Sequence, residues 1–167
     1  MELTADCSKC AALCCVAMAF DKGDMFGCDK VAGEVCKHLD EGHGCKIHAE
    51  LDDEGFSGCV TYDCLGAGQR VVQEMFGGRS WREDPETGAD MFEAFRIMRL
   101  VHGWLELLEA ASELPLSAVQ EAGLEALYAR VVLPEDYDLD TLQALERSGV
   151  AVDIATYLRS LADSVRR

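Results

Sequence analysis

Cysteine is the residue type whose spacing in this chain points most directly to chemistry. Four thiols lie within the nine-residue segment Cys7-Ser-Lys-Cys10-Ala-Ala-Leu-Cys14-Cys15. Five more follow, and no cysteine occurs after the last of them: Cys28, Cys36, Cys45, Cys59 and Cys64. Because crowded thiolates repel one another unless a cation lies between them, and because Cys-x2-Cys lets one turn bring two sulfurs to one ion, this pattern predicts a metal centre.

Eight of the nine thiols are the predicted ligands, and Cys28 is expected to be a small buried residue. The eight are Cys7, Cys10, Cys14, Cys15, Cys36, Cys45, Cys59 and Cys64. Eight ligands fit two zinc sites of four thiolates each, or one four-iron cube plus four further sulfurs. Cu(I), which thiolate ligands also favour, is a third alternative. Core packing or a disulfide scaffold would not require nine thiols confined to the first part of a chain.

The adjacent pair Cys14 and Cys15 poses a geometric problem, because neighbouring side chains on a helix diverge. We therefore expect the two thiols to serve different centres, or one of them to stay out of the metal's ligand set.

Other side chains near the thiols are expected to support the ligands. His38 and His48 each lie two or three residues from a predicted ligand, and Tyr62 lies two residues before Cys64. The two histidines could ligate the metal, but we expect these side chains to donate hydrogen bonds to thiolates or to lie at the surface, since the thiols alone complete the ligand count. His43, between two glycines, is expected in solvent, and His102 in a core or an interface.

Glycines follow the last cysteine in Cys64-Leu-Gly66-Ala-Gly68, where a helix is predicted to begin. A dinucleotide-binding turn would need a third glycine and a preceding apolar strand, and both are missing. Close passage of the backbone beside the metal site explains the glycines better.

The composition of the 167-residue chain narrows the classes of partner. A net charge of −16 disfavours nucleic acid and anionic membranes, and it favours a basic protein partner. The acidic N-terminus does not resemble a secretory signal, and no apolar run is long enough for a membrane span. These features predict a cytoplasmic protein, in a compartment where thiols stay reduced.

The elements expected to position the thiols are short. Residues 4–20 are predicted to form a helix that places Cys7, Cys10 and Cys14 within one sector of about 60° at about 100° per residue. Residues 21–35 are expected to be loop and 45–54 a short helix ended by Gly55. We expect loop or a short extended segment at 56–64, then a helix at 68–76.

The rest of the chain is predicted to be helical. A polar linker with one aromatic anchor, residues 79–87, precedes helices at 88–113, 116–131, 140–148 and 151–165. The predicted fold is mainly α, with a cysteine-rich metal-binding module of short helices and loops at 1–78. A helical bundle at 88–167 packs on this module, either as a second part or within one compact domain. The 88–113 helix offers a surface for a homodimer.

The cysteine pattern resembles a bacterial cysteine-cluster family described as zinc- or iron-chelating domains. The likeness rests on Cys7-x2-Cys10-x3-Cys14-Cys15, on Cys36-Lys-His-Leu and Cys45-Lys-Ile-His48, and on Gly58-Cys59 and Cys64. A subgroup often found before pentapeptide repeats ends its cluster in Tyr-Asp-Cys-Phe-Gly-Ala-Gly-Gln, which is matched by residues 62–69 except at Leu65. The resemblance covers residues 7–75 and implies a metal centre without fixing its element. A similar cysteine motif in flagellin lysine methylases is taken to hold an iron–sulfur cluster.

Two functions from different classes follow as expectations. In the first, the protein holds zinc or an iron–sulfur cluster in a structural or sensory role. In the second, the cluster is redox-active or catalytic. The sequence favours the first, because no Ser-His-Asp order, phosphate-binding loop or His-Glu-x-x-His motif accompanies the thiols. Whether the protein is an enzyme stays undecided.

Overall fold

The structure is a computed structural model that describes residues 3–162. Within these residues the chain is mainly α-helical, as predicted, and its only strand pairing is two isolated bridges, Phe20 with Lys30 and Leu39 with Cys45. The chain divides into two compact units, Met1–Arg99 and Leu100–Arg167. The division lies inside a long helix and not in the linker at 79–87, so the first half of this helix belongs to the cysteine-rich unit.

The first unit contains every cysteine and is built from short elements. These are α1 (Leu13–Ala17), α2 (Ser57–Thr61), α3 (Ala67–Arg70) with a π-helical continuation at Val71–Met75, and the beginning of α4 (Pro85–Ser112). Single 3-10 turns occur at Cys7–Lys9 and His48–Glu50. Buried apolar side chains of this unit lie in α1, in the π-helical continuation of α3 and in α4, with Leu13, Val71 and Met91 at 0% exposure. The loops from 18 to 56 add the buried side chains of Leu39 and Phe56 and carry Cys28, Cys36 and Cys45.

The second unit contains the rest of α4 with α5 (Ala118–Val131), α6 (Leu139–Arg147) and α7 (Val150–Ser160). Ser117 begins α5 through a capping box with Gln120, and Asp138 begins α6 by accepting a hydrogen bond from the Thr141 amide. Gly149, with φ of 78°, separates α6 from α7. The four helices predicted here are confirmed, although residues 163–165 of the last one lie outside the described residues.

His102 lies on α4 at 1% exposure, which confirms the expected core position. None of the helices within residues 3–162 combines the length and the apolar composition that crossing a membrane requires.

Three local predictions in the first unit are wrong. Residues 4–20 do not form one helix, because Ala11 and Ala12 have φ of 48° and 53°, and a right-handed helix cannot pass through such residues. Residues 56–64, expected to be loop or extended, contain α2. The helix predicted at 45–54 is reduced to the 3-10 turn and further turns, which end at Gly55.

Candidate metal centre

The first thiols lie on a sharply folded turn. Asp6 caps the 3-10 turn by accepting a hydrogen bond from the Ser8 amide at 3.1 Å, and the left-handed pair Ala11–Ala12 then reverses the chain into α1. Left-handed backbone costs a non-glycine residue roughly 1–2 kcal/mol. The indole of Trp81 stabilises this turn by donating to the Ala11 carbonyl at 2.9 Å, which confirms the aromatic anchor expected in the linker. Backbone strain of this kind is concentrated at functional sites.

The turn directs backbone amides at the sulfur of Cys10. Burial raises the pKa of the Cys10 thiol to about 11, and hydrogen bonds from the backbone of Ala12 and Leu13 oppose that rise. The thiol itself donates to the carbonyl of Cys7 at 3.3 Å. The backbone of Ala12 and Leu13 therefore favours the thiolate of Cys10, which is the form that binds metal, while the Leu13 amide also donates to the Cys10 carbonyl at 3.2 Å.

Cys14 and Cys15 lie closer together than the sequence predicted. Their sulfurs are 4.0 Å apart, so the expectation that they diverge is wrong. The Cys15 thiol, followed by burial, raises the pKa of Cys14 far above its ordinary value. Two sulfurs bound to one tetrahedral zinc at about 2.3 Å each lie about 3.8 Å apart. The observed separation is close to that value, so the pair can share one ion.

Cys64 follows the same pattern as Cys10. Leu65 and Gly66, directly after it, have φ of 52° and 80°, and Asp63 accepts a hydrogen bond from the Leu65 amide at 2.7 Å. This second left-handed turn leads into α3, which begins at Ala67.

Gly68 brings α3 against the first turn. A methyl group built at Gly68 would lie 2.9 Å from the Cβ of Cys10 and 3.8 Å from its sulfur. The close backbone passage predicted for the glycines is therefore confirmed beside Cys10. The pKa of Cys7, which partial burial raises, is raised further by Cys14 and Cys64, so these thiols lie within electrostatic range of one another.

The later cysteines approach the same region by backbone contacts. The amide of Cys36 donates to the carbonyl of Cys15 at 2.9 Å, and Cys45 forms the bridge with Leu39. Partial burial raises the pKa of Cys59 to about 11, with further upward contributions from neighbouring thiols. These neighbours are Cys14, Cys36, Cys45 and Cys28. The segments that carry Cys15 and Cys59 are far apart in sequence, and they therefore contribute thiols to one region.

Cys28 is half-buried, so the expectation that it is a buried packing residue is wrong. Among the predicted ligands, Cys10 is buried, Cys7 and Cys59 are exposed, and the rest are half-buried. All nine cysteines are free thiols.

A buried lysine lies among the thiols. Lys30 is 5% exposed, and its ammonium donates to the carbonyls of Val16 at 3.1 Å, Val31 at 3.2 Å and Met18. Burial lowers the pKa of Lys30, and Cys36, Cys15, Glu34 and Cys14 oppose this effect. A cation in this position would offset the negative charge of a thiolate centre.

The residues expected to support the ligands have different surroundings. His48 is exposed. The Nε2 atom of His38 is buried without a hydrogen-bond partner, and its ring packs edge-on against Phe56 at 5.0 Å. The hydroxyl of Tyr62 is also buried, and burial raises its pKa while Arg99, through its charge and its proximity to the hydroxyl, opposes the rise. A buried polar atom without a partner is costly unless a ligand or ion completes it.

His43 was expected in solvent, and this expectation is wrong. Its Nε2 lies 2.9 Å from the hydroxyl of Ser80, which is 5% exposed and accepts from the Arg82 amide. The pair links the turn at 40–44 to the linker, which is a structural role.

The thiols converge without closing a coordination sphere. Across residues 3–162, no group of three or more His, Cys, Asp or Glu side chains is already placed to hold a metal ion. The closest pair is Cys14 and Cys15, and the other thiols approach through the backbone contacts and electrostatic interactions described above. Binding an ion at tetrahedral geometry therefore requires side-chain rotation. The donor set itself, cysteine thiols with backbone that favours the thiolate at Cys10, fits zinc or an iron–sulfur cluster.

Sequence reasoning missed two elements of this region. The left-handed Ala11–Ala12 pair has no sequence signal, because alanine is the strongest helix former. Lys30, between Asp29 and Val31 in a polar loop, has no pattern that marks it as buried. The only available signal was its position among the cysteines.

One curated relative matches nearly the whole chain. The uncharacterized protein YybG of Bacillus subtilis (strain 168) is 33% identical over 165 residues, which cover 99% of this chain and 59% of YybG. The chain thus spans 59% of the length of this relative. No protein-family model and no solved structure matches the chain.

Proposed function

We propose that this protein binds metal, and that its cysteines hold zinc as thiolates in a structural or sensory role. The observation that carries the proposal is the 4.0 Å separation of the Cys14 and Cys15 sulfurs, in a region where Cys7, Cys10 and Cys64 also converge. Zinc fits this separation because one tetrahedral ion needs sulfurs about 3.8 Å apart. The sulfurs bound to different irons of a cube point away from one another and lie farther apart.

Charge and hydrogen bonding support the same proposal. The amides of Ala12 and Leu13 stabilise the thiolate of Cys10, and Lys30 supplies a buried positive charge near Cys14 and Cys36. Zinc supplies charge neutralisation of the thiolates and fixes their geometry. Since the ligands come from loops, turns and helices of only five residues, metal binding would contribute much of the folding free energy of this unit.

An iron–sulfur cluster is the second candidate. The N–H donors directed at Cys10 favour it, because hydrogen bonds to cysteine sulfur set the reduction potential of such clusters. The resemblance to the cysteine-cluster family is compatible with either metal. A redox-active or catalytic role would follow from this candidate, and Cu(I) binding is a third alternative.

Partners and location stay predictions that follow from the same features. A reducing cytoplasm would keep the nine thiols available for metal. The net charge of −16 favours a basic protein partner, and a homodimer through α4 is a separate prediction.

Anaerobic purification followed by elemental analysis for zinc, iron, copper and acid-labile sulfide tests the proposal. We expect a colourless protein with about two zinc ions per chain, since four thiolates bind each ion. Iron with equimolar sulfide and a brown colour would favour the second candidate, and copper the third. A folded, reduced protein that binds none of these metals would refute metal binding.

A further inference from the structure

We propose that Cys28 is a metal ligand and that it completes a second four-thiolate zinc site with Cys36, Cys45 and Cys59. This inference rests on the proposed function and adds to it a ligand that the sequence had excluded. Four of the five remaining thiols, with Cys64 among the four, then serve the first site; the five are Cys7, Cys10, Cys14, Cys15 and Cys64.

An aromatic cluster holds together the loops that carry these four thiols. Phe56, at 3% exposure, packs edge-on against Phe20 at 6.3 Å and against the ring of His38 at 5.0 Å. Phe26 stacks on Phe20 at 4.4 Å. Each of these rings lies within three residues of one of the four cysteines, except Phe20, which joins the others. The loops therefore meet at one point.

The Cys28 loop is hydrogen-bonded to the helix that carries Cys59. The amide of Gly58 donates to the carbonyl of Met25 at 3.0 Å. A methyl group built at Gly58 would lie 2.4 Å from the ring of Phe26, and one at Gly27 would lie 3.3 Å from the ring of Phe56. A side chain at Gly58 would clash with Phe26 and one at Gly27 would be tight, and these approaches bring the segment before Cys28 directly against the first turn of α2.

Cys36 and Cys45 are paired by a narrow turn. Leu39 bridges Cys45, and the amide of Lys46 donates to the carbonyl of His38 at 2.8 Å. His38 follows Cys36 by two residues and its ring contacts Phe56, which lies next to α2, so this turn lies beside α2. Cys59 interacts electrostatically with Cys14, Cys36, Cys45 and Cys28, in that order of size, so the proposed ligands lie in one region that also borders Cys14.

Four thiols from three segments around one point are what a tetrahedral zinc ion requires. Binding needs no oxidant or reductant, because each thiol releases one proton to solvent as its sulfur bonds to the ion. A packing role explains Cys28 less well, because the residue is half-buried and its loop neighbours at 21–25 are all exposed. The unpaired Nε2 of His38 lies in the same region and could donate to one of these sulfurs.

Zinc stoichiometry of single and double variants tests the assignment. We expect about two zinc ions per chain in the wild type and about one in Cys28→Ala, Cys36→Ala or Cys64→Ala. The double variant Cys28→Ala/Cys36→Ala should keep one ion, since both residues serve one site, whereas Cys28→Ala/Cys64→Ala should keep none. Cys28→His should retain two ions, because imidazole is also a zinc ligand.

The outcomes separate the two proposals. If the wild type binds no zinc, the proposed function fails. If Cys28→Ala keeps two ions while Cys36→Ala keeps one, only the assignment of Cys28 is overturned.

A measurement on the wild-type chain covers the case in which the variants do not fold. Alkylation with iodoacetamide, followed by peptide mass spectrometry, should label Cys28 at least tenfold more slowly with zinc than without. Labelling of Cys28 at the same rate in both samples, with Cys36 protected by zinc, would overturn the assignment.

Discussion

Replacing Gly68 by alanine should destabilise the cysteine-rich unit and disturb the first thiol turn. The added methyl group would lie 2.9 Å from the Cβ of Cys10, and 3.5 Å from the ring of Phe95. Carbon atoms in favourable contact are about 3.5–4.0 Å apart, so Cys10 or α3 would have to move by about 0.6–1.1 Å. The Cβ of Cys10 is fixed by its backbone and cannot rotate away, unlike the end of a long side chain.

Gly88→Ala is the matched control for this substitution. Gly88 is also helical, buried and within the first unit, but a methyl group there would meet its nearest neighbour at an ordinary 3.8 Å. Both substitutions gain a similar amount from helix propensity, about 1 kcal/mol. The difference between their effects therefore isolates overpacking, which costs about 1–3 kcal/mol.

Urea denaturation of the reduced, metal-free proteins, followed by circular dichroism, measures the two free energies of unfolding. Gly68→Ala should be less stable than Gly88→Ala by about 1–3 kcal/mol. Competition with a chelator should show zinc affinity reduced about tenfold, or about 1.4 kcal/mol, in Gly68→Ala alone. Equal stability and equal zinc affinity in the two variants would refute the close packing of α3 on the thiol turn.

Three further predictions concern the buried lysine, proton release and a helix cap. Lys30→Met should lower the free energy of unfolding by about 2–4 kcal/mol in urea denaturation, because three carbonyls lose a charged donor. Lys37 is exposed, so Lys37→Met is the control. Equal stabilities of the two variants would contradict the buried role of Lys30. Zinc binding near neutral pH should release about four protons per ion, because the pKa values of Cys10 and Cys59, at about 11, leave these thiols protonated. Calorimetry in buffers of different ionisation enthalpy measures this number of protons. The affinity for zinc should rise with pH. An absence of proton release would contradict thiolate binding. The pKa of Asp138 is lowered from 3.8, chiefly by a hydrogen bond with the Thr141 side chain. The Asp138 carboxylate therefore stabilises α6 fully above pH 3.8, and this stabilisation is lost as the pH falls through the lower pKa of the folded state. Acid titration of Asp138→Asn, followed by circular dichroism, should show a weaker loss of helix than the wild type, and identical acid curves would contradict the cap.

The helices of the second unit were predictable because each carries a local signal. Ser117 with Gln120, Asp138 and Gly149 mark the ends of three elements, and their chemistry acts within a few residues. The long helix α4 was predicted from a different local signal, the helical spacing of its apolar residues.

The thiol region was predictable in its residues and not in its geometry. The spacing of the cysteines indicated a cluster, but helix propensity pointed to a continuous helix through Ala11 and Ala12. Tertiary contacts, including the indole of Trp81 on the Ala11 carbonyl, hold that pair in the left-handed region instead. The place of Cys28 depends on the packing of Phe26 and Phe56, which no local pattern contains.

The central claim, that the cysteines together hold zinc, is tested most directly by X-ray absorption at the zinc edge of the anaerobically purified protein. The account predicts a first shell of about four sulfurs at about 2.3 Å around each zinc. A first shell of oxygen or nitrogen alone, or a reduced and folded protein that takes up no zinc, would contradict it.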